Sequence, residues 1–173
     1  MRTTLLLTVV GADRPGLVEA LAKRVAQVGG NWEECRLARL GGQFAGIVMV
    51  SLDGLRTDEL VGELRALDSV GLQVNARSAE PRSHAPPGTR ARLELTGADR
   101  PGIVRDVARV LATYAVNVEE LESSVGSAPM SGEALFTARA ELSIPEGVAL
   151  GELRSALETL GGELMVDLSI ERP

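Results

Sequence analysis

Aromatic side chains are nearly absent: two Phe, one Trp and one Tyr in 173 residues. Any core must therefore be assembled from Leu, Val, Ile and Ala, which suits thin, layered domains. Cysteine is reduced to Cys35, which excludes an intrachain disulfide framework and leaves no Cys-x-x-Cys or Cys/His spacing for a metal. The single histidine, His84, sits in a Pro-rich stretch and reads as a solvated linker residue, not as a general base. No segment reaches the roughly 18 consecutive apolar residues of a spanning helix. The opening Met1-Arg2-Thr3-Thr4 leads into a short apolar run and then a charged turn, unlike an export signal. A cytoplasmic location without membrane contact is the expectation. Basic charge is also short: 18 Lys and Arg against 24 Asp and Glu give a net −6, and the basic residues are too dispersed to form a phosphate-binding stripe. Direct nucleic-acid binding is not expected. No GxxxxGK[ST] run occurs and no nucleophile, base and orienting group can be assembled, so neither catalysis nor a cofactor is expected.

What the chain does contain is a repeat. At an offset of 86 residues, Gly11-Ala12-Asp13-Arg14-Pro15-Gly16 aligns with Gly97-Ala98-Asp99-Arg100-Pro101-Gly102, six identities in a row. The same offset matches Val18 with Val104, Ala22 with Ala108, Asn31 with Asn117, and Glu33-Glu34 with Glu119-Glu120. Between the copies, Ser78 to Thr89 holds three prolines and few large apolar residues, as a semi-extended linker would. The expected organisation is domain 1 at 1–78, linker at 79–89 and domain 2 at 90–173. A half-chain of about 85 residues buries at most roughly two-thirds of its unfolded surface and is marginal alone. Pairing between halves or chains, with a homodimer as the expected form, follows.

In the first half, Leu5 to Val10 reads as a largely buried strand. Leu17, Val18, Leu21, Ala22, Val25 and Val28 then fall on one helical stripe that Gly29-Gly30 ends. Strands near Asn31–Leu40 and Gln43–Leu52 flank a Gly41-Gly42 hairpin signal. A second helix carries Leu60, Val61, Leu64 and Leu67 and is expected to enter through Thr57 or Asp58 as cap, before a strand with Leu72, Val74 and Ala76. The second half repeats the order: Arg92–Thr96, a helix Pro101–Tyr114, strands near Asn117–Val125 and Leu135–Ile144, and a helix around Leu150–Leu160. Its last strand alternates, with Leu164, Val166, Leu168 and Ile170 on one face. The fold class is α+β: two ferredoxin-like βαββαβ units, each a four-stranded antiparallel sheet with two helices on one face.

The turn between strand one and helix one is the most informative segment. Asp13-Arg14-Pro15-Gly16 and Asp99-Arg100-Pro101-Gly102 each join an acid placed to cap with a proline suited to a first helical turn. Helix-start amides and their partial positive charge favour a carboxylate, and a neighbouring Asp can receive an ammonium group, so the pattern matches a free amino acid. Asn31 and Asn117, each 18 residues after its Asp, head strand two, where an amide can both donate and accept. The competing reading is purely structural: Asp13 and Asp99 cap helices while Asn31 and Asn117 end them. Glu33-Glu34 and Glu119-Glu120 are neighbours on a strand and are expected to point to opposite faces. Cys35 is expected to be a buried, inert thiol and Trp32 a core or interface filler.

With βαββαβ units, the Asp-Arg-Pro-Gly turn and an Asn at strand two, both halves resemble ACT domains, which together cover nearly the whole chain. Gly11 to Val18 and Asn31 to Phe44 resemble, within that family, the glycine cleavage repressor group. The resemblance implies a ligand between paired modules, held by Asp13, Arg14, Pro15, Gly16 and Asn31, and by Asp99, Arg100, Pro101, Gly102 and Asn117. It implies a small amino acid such as glycine or serine as ligand, and regulation by contact with a DNA-binding transcription factor, in keeping with the acidic charge. Two residues before each Asp stand Gly11 and Gly97, where some serine-binding relatives carry histidine. A ligand-free interaction module is the alternative, as is a detached regulatory subunit of an amino-acid or folate enzyme, because formyltetrahydrofolate deformylase carries a similar Gly-Ala-Asp-Arg-Pro-Gly module.

Overall fold

Alternation along the first strand decides which face of the sheet is covered. In β1 (Arg2–Ala12), Leu5, Leu7 and Val9 are buried, whereas Thr8 and Val10 on the other face are exposed. The expectation of a largely buried strand is thereby corrected. Helices cover only one side of this antiparallel sheet, so only every second side chain leaves water. The computed structural model describes residues 1–79, 88–128, 132–164 and 166–171, with the side chains at 164, 166–168 and 171 not described. The chain divides into two compact units, Met1–Ser83 and His84–Pro173, each with its own aliphatic core.

Helix α1 (Leu17–Gln27) buries Leu17, Leu21 and Val25, and Val28 follows them into the core. Val18 drops out of the expected stripe and stays 46% exposed. The helix ends in a left-handed Gly29 (φ 68°), with the Gly29 amide bonded to the Ala26 carbonyl and the Gly30 amide to Val25, each at 2.9 Å. That paired closure needs a residue tolerant of positive φ. Strands β2 (Asn31–Leu40) and β3 (Gln43–Asp53) are joined by Gly41 and Gly42, both left-handed, which is the geometry of a tight two-residue hairpin.

Entry to α2 (Thr57–Arg65) differs from the expected Thr57 or Asp58 cap. A short 3-10 turn, Gly54–Arg56, comes first, and Asp53 caps it by accepting from the Leu55 amide at 3.2 Å. Strand β4 (Leu72–Ser78) closes the unit, and the sheet order is β2-β3-β1-β4.

The second unit repeats this plan with β5 (Gly88–Ala98), α3 (Ile103–Thr113), β6 (Asn117–Ser127), β7 (Ala134–Pro145), α4 (Leu150–Leu164) and β8 (Val166–Glu171). Its order, β6-β7-β5-β8, is the same, so both units are ferredoxin-like. Two expectations shift at the boundaries. Gly88 and Thr89 belong to β5 and Ser78 to β4, not to a linker, whose residues 80–87 lie outside the described set. Leu164 belongs to α4 because the helix runs on past Leu160, and of the expected alternation in β8 only buried Ile170 and exposed Ser169 are described.

The two copies close their first helices differently. Where unit one has Gly29, unit two has Ala115 at φ 52°, its amide bonded to Ala112 and that of Val116 to Leu111. A Cβ in the left-handed region costs about 1–2 kcal/mol, against a smaller entropic cost for glycine. Ala115→Gly is accordingly expected to stabilise unit two by roughly 0.5–1 kcal/mol, read as a raised urea midpoint. An unchanged or lowered midpoint would show that this strain is not there.

Candidate functional site

Strand β1 hands over to the Asp13 turn at the same end of the sheet as the Gly41-Gly42 hairpin. The Asp13 amide donates to the Gly42 carbonyl at 2.9 Å, and the Arg14 guanidinium donates to the Val70 carbonyl, just before β4. The turn is thus held from both neighbouring segments. Gly16 then adopts φ 91°, and the first α-helical bond runs from the Ala20 amide to the Gly16 carbonyl at 2.9 Å. No side chain caps the helix, so the amides of its first turn point out of the mouth uncapped. Asp13 therefore does not cap α1. Its carboxylate faces Arg39 at 3.6 Å instead, because the left-handed glycine turns the chain before the helix begins. Pro15 likewise precedes the first helical turn.

The second unit reproduces this arrangement. The Asp99 amide donates to Ala134 at 2.9 Å, Gly102 adopts φ 98°, the Asp106 amide bonds the Gly102 carbonyl at 2.9 Å, and no side chain caps α3. The electrostatics differ. The position matching Arg39 is Val125, and among the described residues the Asp99 carboxylate has no ion pair. Further into the helix, the hydrogen bond from Arg105 at 3.0 Å holds the Asp106 carboxyl below its ordinary range against partial desolvation, with Arg109 and Arg100 adding to the attraction.

Gly11, where a side chain would have to stand to resemble the histidine-bearing relatives, is closed. A Cβ there would lie 2.3 Å from the Gly71 carbonyl oxygen, since β4 begins directly against it. Whatever approaches the first turn does so along backbone.

The two asparagines lie elsewhere. Asn31 pairs with Ser51, which pairs with Thr4, and Asn117 pairs with Ser143, which pairs with Arg90. Each Asn therefore stands at the start of the first strand while its Asp stands beyond the end, nine residues or roughly 30 Å away at ~3.3 Å per residue. The structure gathers Asp13, Arg14, Pro15 and Gly16 at one end of unit one and puts Asn31 at the other. Asp99 to Gly102 and Asn117 are separated in the same way. Neither asparagine ends a helix: both side chains are exposed at the head of an edge strand.

The acidic pairs also differ from expectation. The register of β2 slips between Trp32 and Glu34, and that of β6 between Val118 and Glu120. Each slip is a β-bulge, which breaks strict alternation. Trp32 and Cys35 both pack against the core, so Glu33 and Glu34 between them lie together away from it. Cys35 is only partly buried. In unit two, Val118 replaces Trp32, and an apolar cavity of about 50 Å³ opens beside it, lined by residues including Leu95, Ile103, Val107, Leu121 and Phe136. Its lining lacks the polar groups that a zwitterion needs. Among the described residues, no cluster of three or more His, Cys, Asp or Glu could hold a metal, and no helix is long and apolar enough to cross a membrane.

Comparison with known proteins points in one direction. The family model described as ACT domain matches residues 3–76 and again 93–171. The glycine cleavage system transcriptional repressor of Escherichia coli (strain K12) is 27% identical over 169 residues, covering 96% of this chain and 88% of the repressor. A crystal structure of an unknown protein from Galdieria sulphuraria superposes over 100% of this chain and 99% of its own, with TM-score 0.86 and 33% identity. A putative glycine cleavage system transcriptional repressor of known structure shares the fold, with TM-score 0.72 and 20% identity over 99% of this chain and 97% of that one.

The turn's geometry makes a stability prediction. Gly11→Ala should cost about 1–3 kcal/mol as an overpacked site, and Gly16→Ala about 1 kcal/mol for its positive φ, whereas Asp13→Ala, losing only an exposed pair, should stay within about 0.5 kcal/mol. Urea denaturation measures all three. A large loss for Asp13→Ala would restore the capping role.

Proposed function

Because this chain belongs to the ACT domain family, we propose that it is a non-catalytic regulatory protein that senses a small amino acid between paired modules and signals by contact with a transcription factor. The observation that carries the reading is the pair of uncapped helix mouths, each preceded by an Asp. Outward amides and the helix dipole suit a carboxylate, and the carboxylate of Asp13 or Asp99 suits the ammonium group. Arg39 occupies Asp13 only loosely, at 3.6 Å between exposed groups, so an ammonium can take its place. The repressor relative's name favours glycine among small amino acids.

The separation within each unit supports a ligand shared between modules. An amino acid a few ångströms long cannot touch Asp13 and Asn31 of one module, so in this reading the asparagine comes from another module. Binding then favours the paired arrangement, which is how a ligand transmits a signal. The net charge of −6 supports a protein target over DNA, and the repressor relative's name supports a transcriptional one.

Titration calorimetry against the twenty amino acids tests this. Glycine or serine should release heat, and Asp13→Ala combined with Asp99→Ala should weaken that binding roughly tenfold or more, the worth of a charge-assisted hydrogen bond, while leaving the melting temperature near wild type. Absence of heat with every amino acid would contradict the reading.

A further inference from the structure

We propose that two copies of this chain stack unit one on unit one, through the open faces that α1 and α2 leave uncovered on their β2-β3-β1-β4 sheets. The ladder fixes which residues share this face. Across β3 and β1, Met49 stands beside Leu6, Ile47 beside Thr8 and Ala45 beside Val10, and on β2 Ala38 stands beside Ala45. Val10 and Ile47 are 41% and 43% exposed, so the apolar ground lies open. Polar side chains confine it, with Glu34 and Arg36 on β2 and Asn75 and Arg77 on β4. An apolar centre within a polar rim is the make-up of an interface core.

The second unit shows that the frame does not require such a face. Matching registers align the two sheets position by position: where unit one has Leu6, Val10, Met49, Ile47, Ala45 and Ala38, unit two has Arg92, Thr96, Glu141, Arg139, Thr137 and Ser124. Unit two closes this face on itself, with Arg92 bonded to Glu141 at 2.9 Å and Arg139 facing Glu94 at 3.3 Å. An antiparallel sheet with one side in water ordinarily has that polar composition. Apolar residues gathered at the same positions of unit one therefore mark a surface that is covered.

Area and rim both fit a second copy. Four strands about 4.8 Å apart and four levels of side chains about 6.7 Å apart make a face on the order of 500 Å², so two faces bury roughly 1,000 Å², where specific interfaces begin. Sheets stack in this way about 10 Å apart, with strands within about 30° of alignment. Glu34 and Arg77 stand at one level on the two outer strands, joined through Met49 and Leu6. A two-fold axis running along the strands, between β3 and β1, lays Met49 over the partner's Leu6 and Glu34 over the partner's Arg77, and repeats both contacts by symmetry. Glu34 keeps Arg36 beside it at 3.4 Å, in an exposed pair that leaves its carboxylate room for a second guanidinium. A cover with charges at its centre would have to bury them, which favours a like apolar face. This stacking uses neither helix mouth, so it goes beyond the sensing function and stands without it.

Sedimentation equilibrium of the full chain over a range of concentrations, with far-UV circular dichroism to verify folding, tests the proposal. Wild type should sediment at twice the 18.2 kDa chain mass. Leu6→Arg with Met49→Glu gives unit one the pair that unit two carries as Arg92 and Glu141, a change that the matching frame already accommodates. It should weaken the dimer roughly a hundredfold or more, because a charge pair from each copy would have to leave water. Arg77→Glu, at an exposed position away from the core, should weaken it several-fold by setting like charges against each other. A monomeric wild type, a dimer undiminished by Leu6→Arg with Met49→Glu, or one indifferent to Arg77→Glu would each overturn the stacking.

Discussion

A helix must do something with its first amides. In most helices a Ser, Thr, Asp or Asn side chain accepts from them, but α1 and α3 both begin after a left-handed glycine with no side-chain cap. The rest of the turn keeps that arrangement in place: Asp13 is tied by its amide to Gly42, Arg14 to Val70, and Gly11 is pressed against Gly71. Each restraint ends on a backbone carbonyl. They leave the Asp carboxylate and the helix mouth directed outward, a charged pair of poles on an otherwise plain aliphatic domain.

The sheet sets those poles apart from the asparagines. Because β1 runs the full length of the unit, the residue heading β2 and the residue following β1 stand at opposite ends, and no local rearrangement of an antiparallel ladder can bring them together. One small ligand therefore cannot touch both within a single module. The two units also differ: the first has Arg39 beside its Asp and Trp32 packed against its core, whereas the second has an Asp99 without an ion pair among the described residues, a small apolar cavity and an acidic edge. Duplication kept the turn and let the edges diverge.

Much of the fold was legible in the residues. The aliphatic stripe of α1, the Gly41-Gly42 hairpin and the order of elements follow from periodicity and turn chemistry, and the six-residue repeat carried the reading into the second half. Asp before Pro has the composition of a cap, and only the left-handed φ of Gly16 moves the helix start away from it. The bulges at Glu33 and Glu119 were invisible, since an extra residue in a strand changes no residue type. Arg39 and Val70 as supports of the turn depend on registers between distant strands, which no local pattern encodes. The separation of Asp13 from Asn31 belongs to the same class: residue type and spacing make both candidates, and only the ladder shows that they stand at opposite ends of one module.

The proposed sensing requires each Asp-flanked helix mouth to receive the charged ends of an amino acid, with an asparagine from another module. Backbone and side-chain amide chemical shifts recorded by NMR while glycine or serine is added report on all these groups at once. The account predicts saturable shifts concentrated at Gly16, Leu17, Gly102 and Ile103 together with the side-chain amides of Asn31 and Asn117. Shifts confined to other surfaces, or perturbation of the helix mouths while both asparagines stay unmoved at saturation, would contradict it.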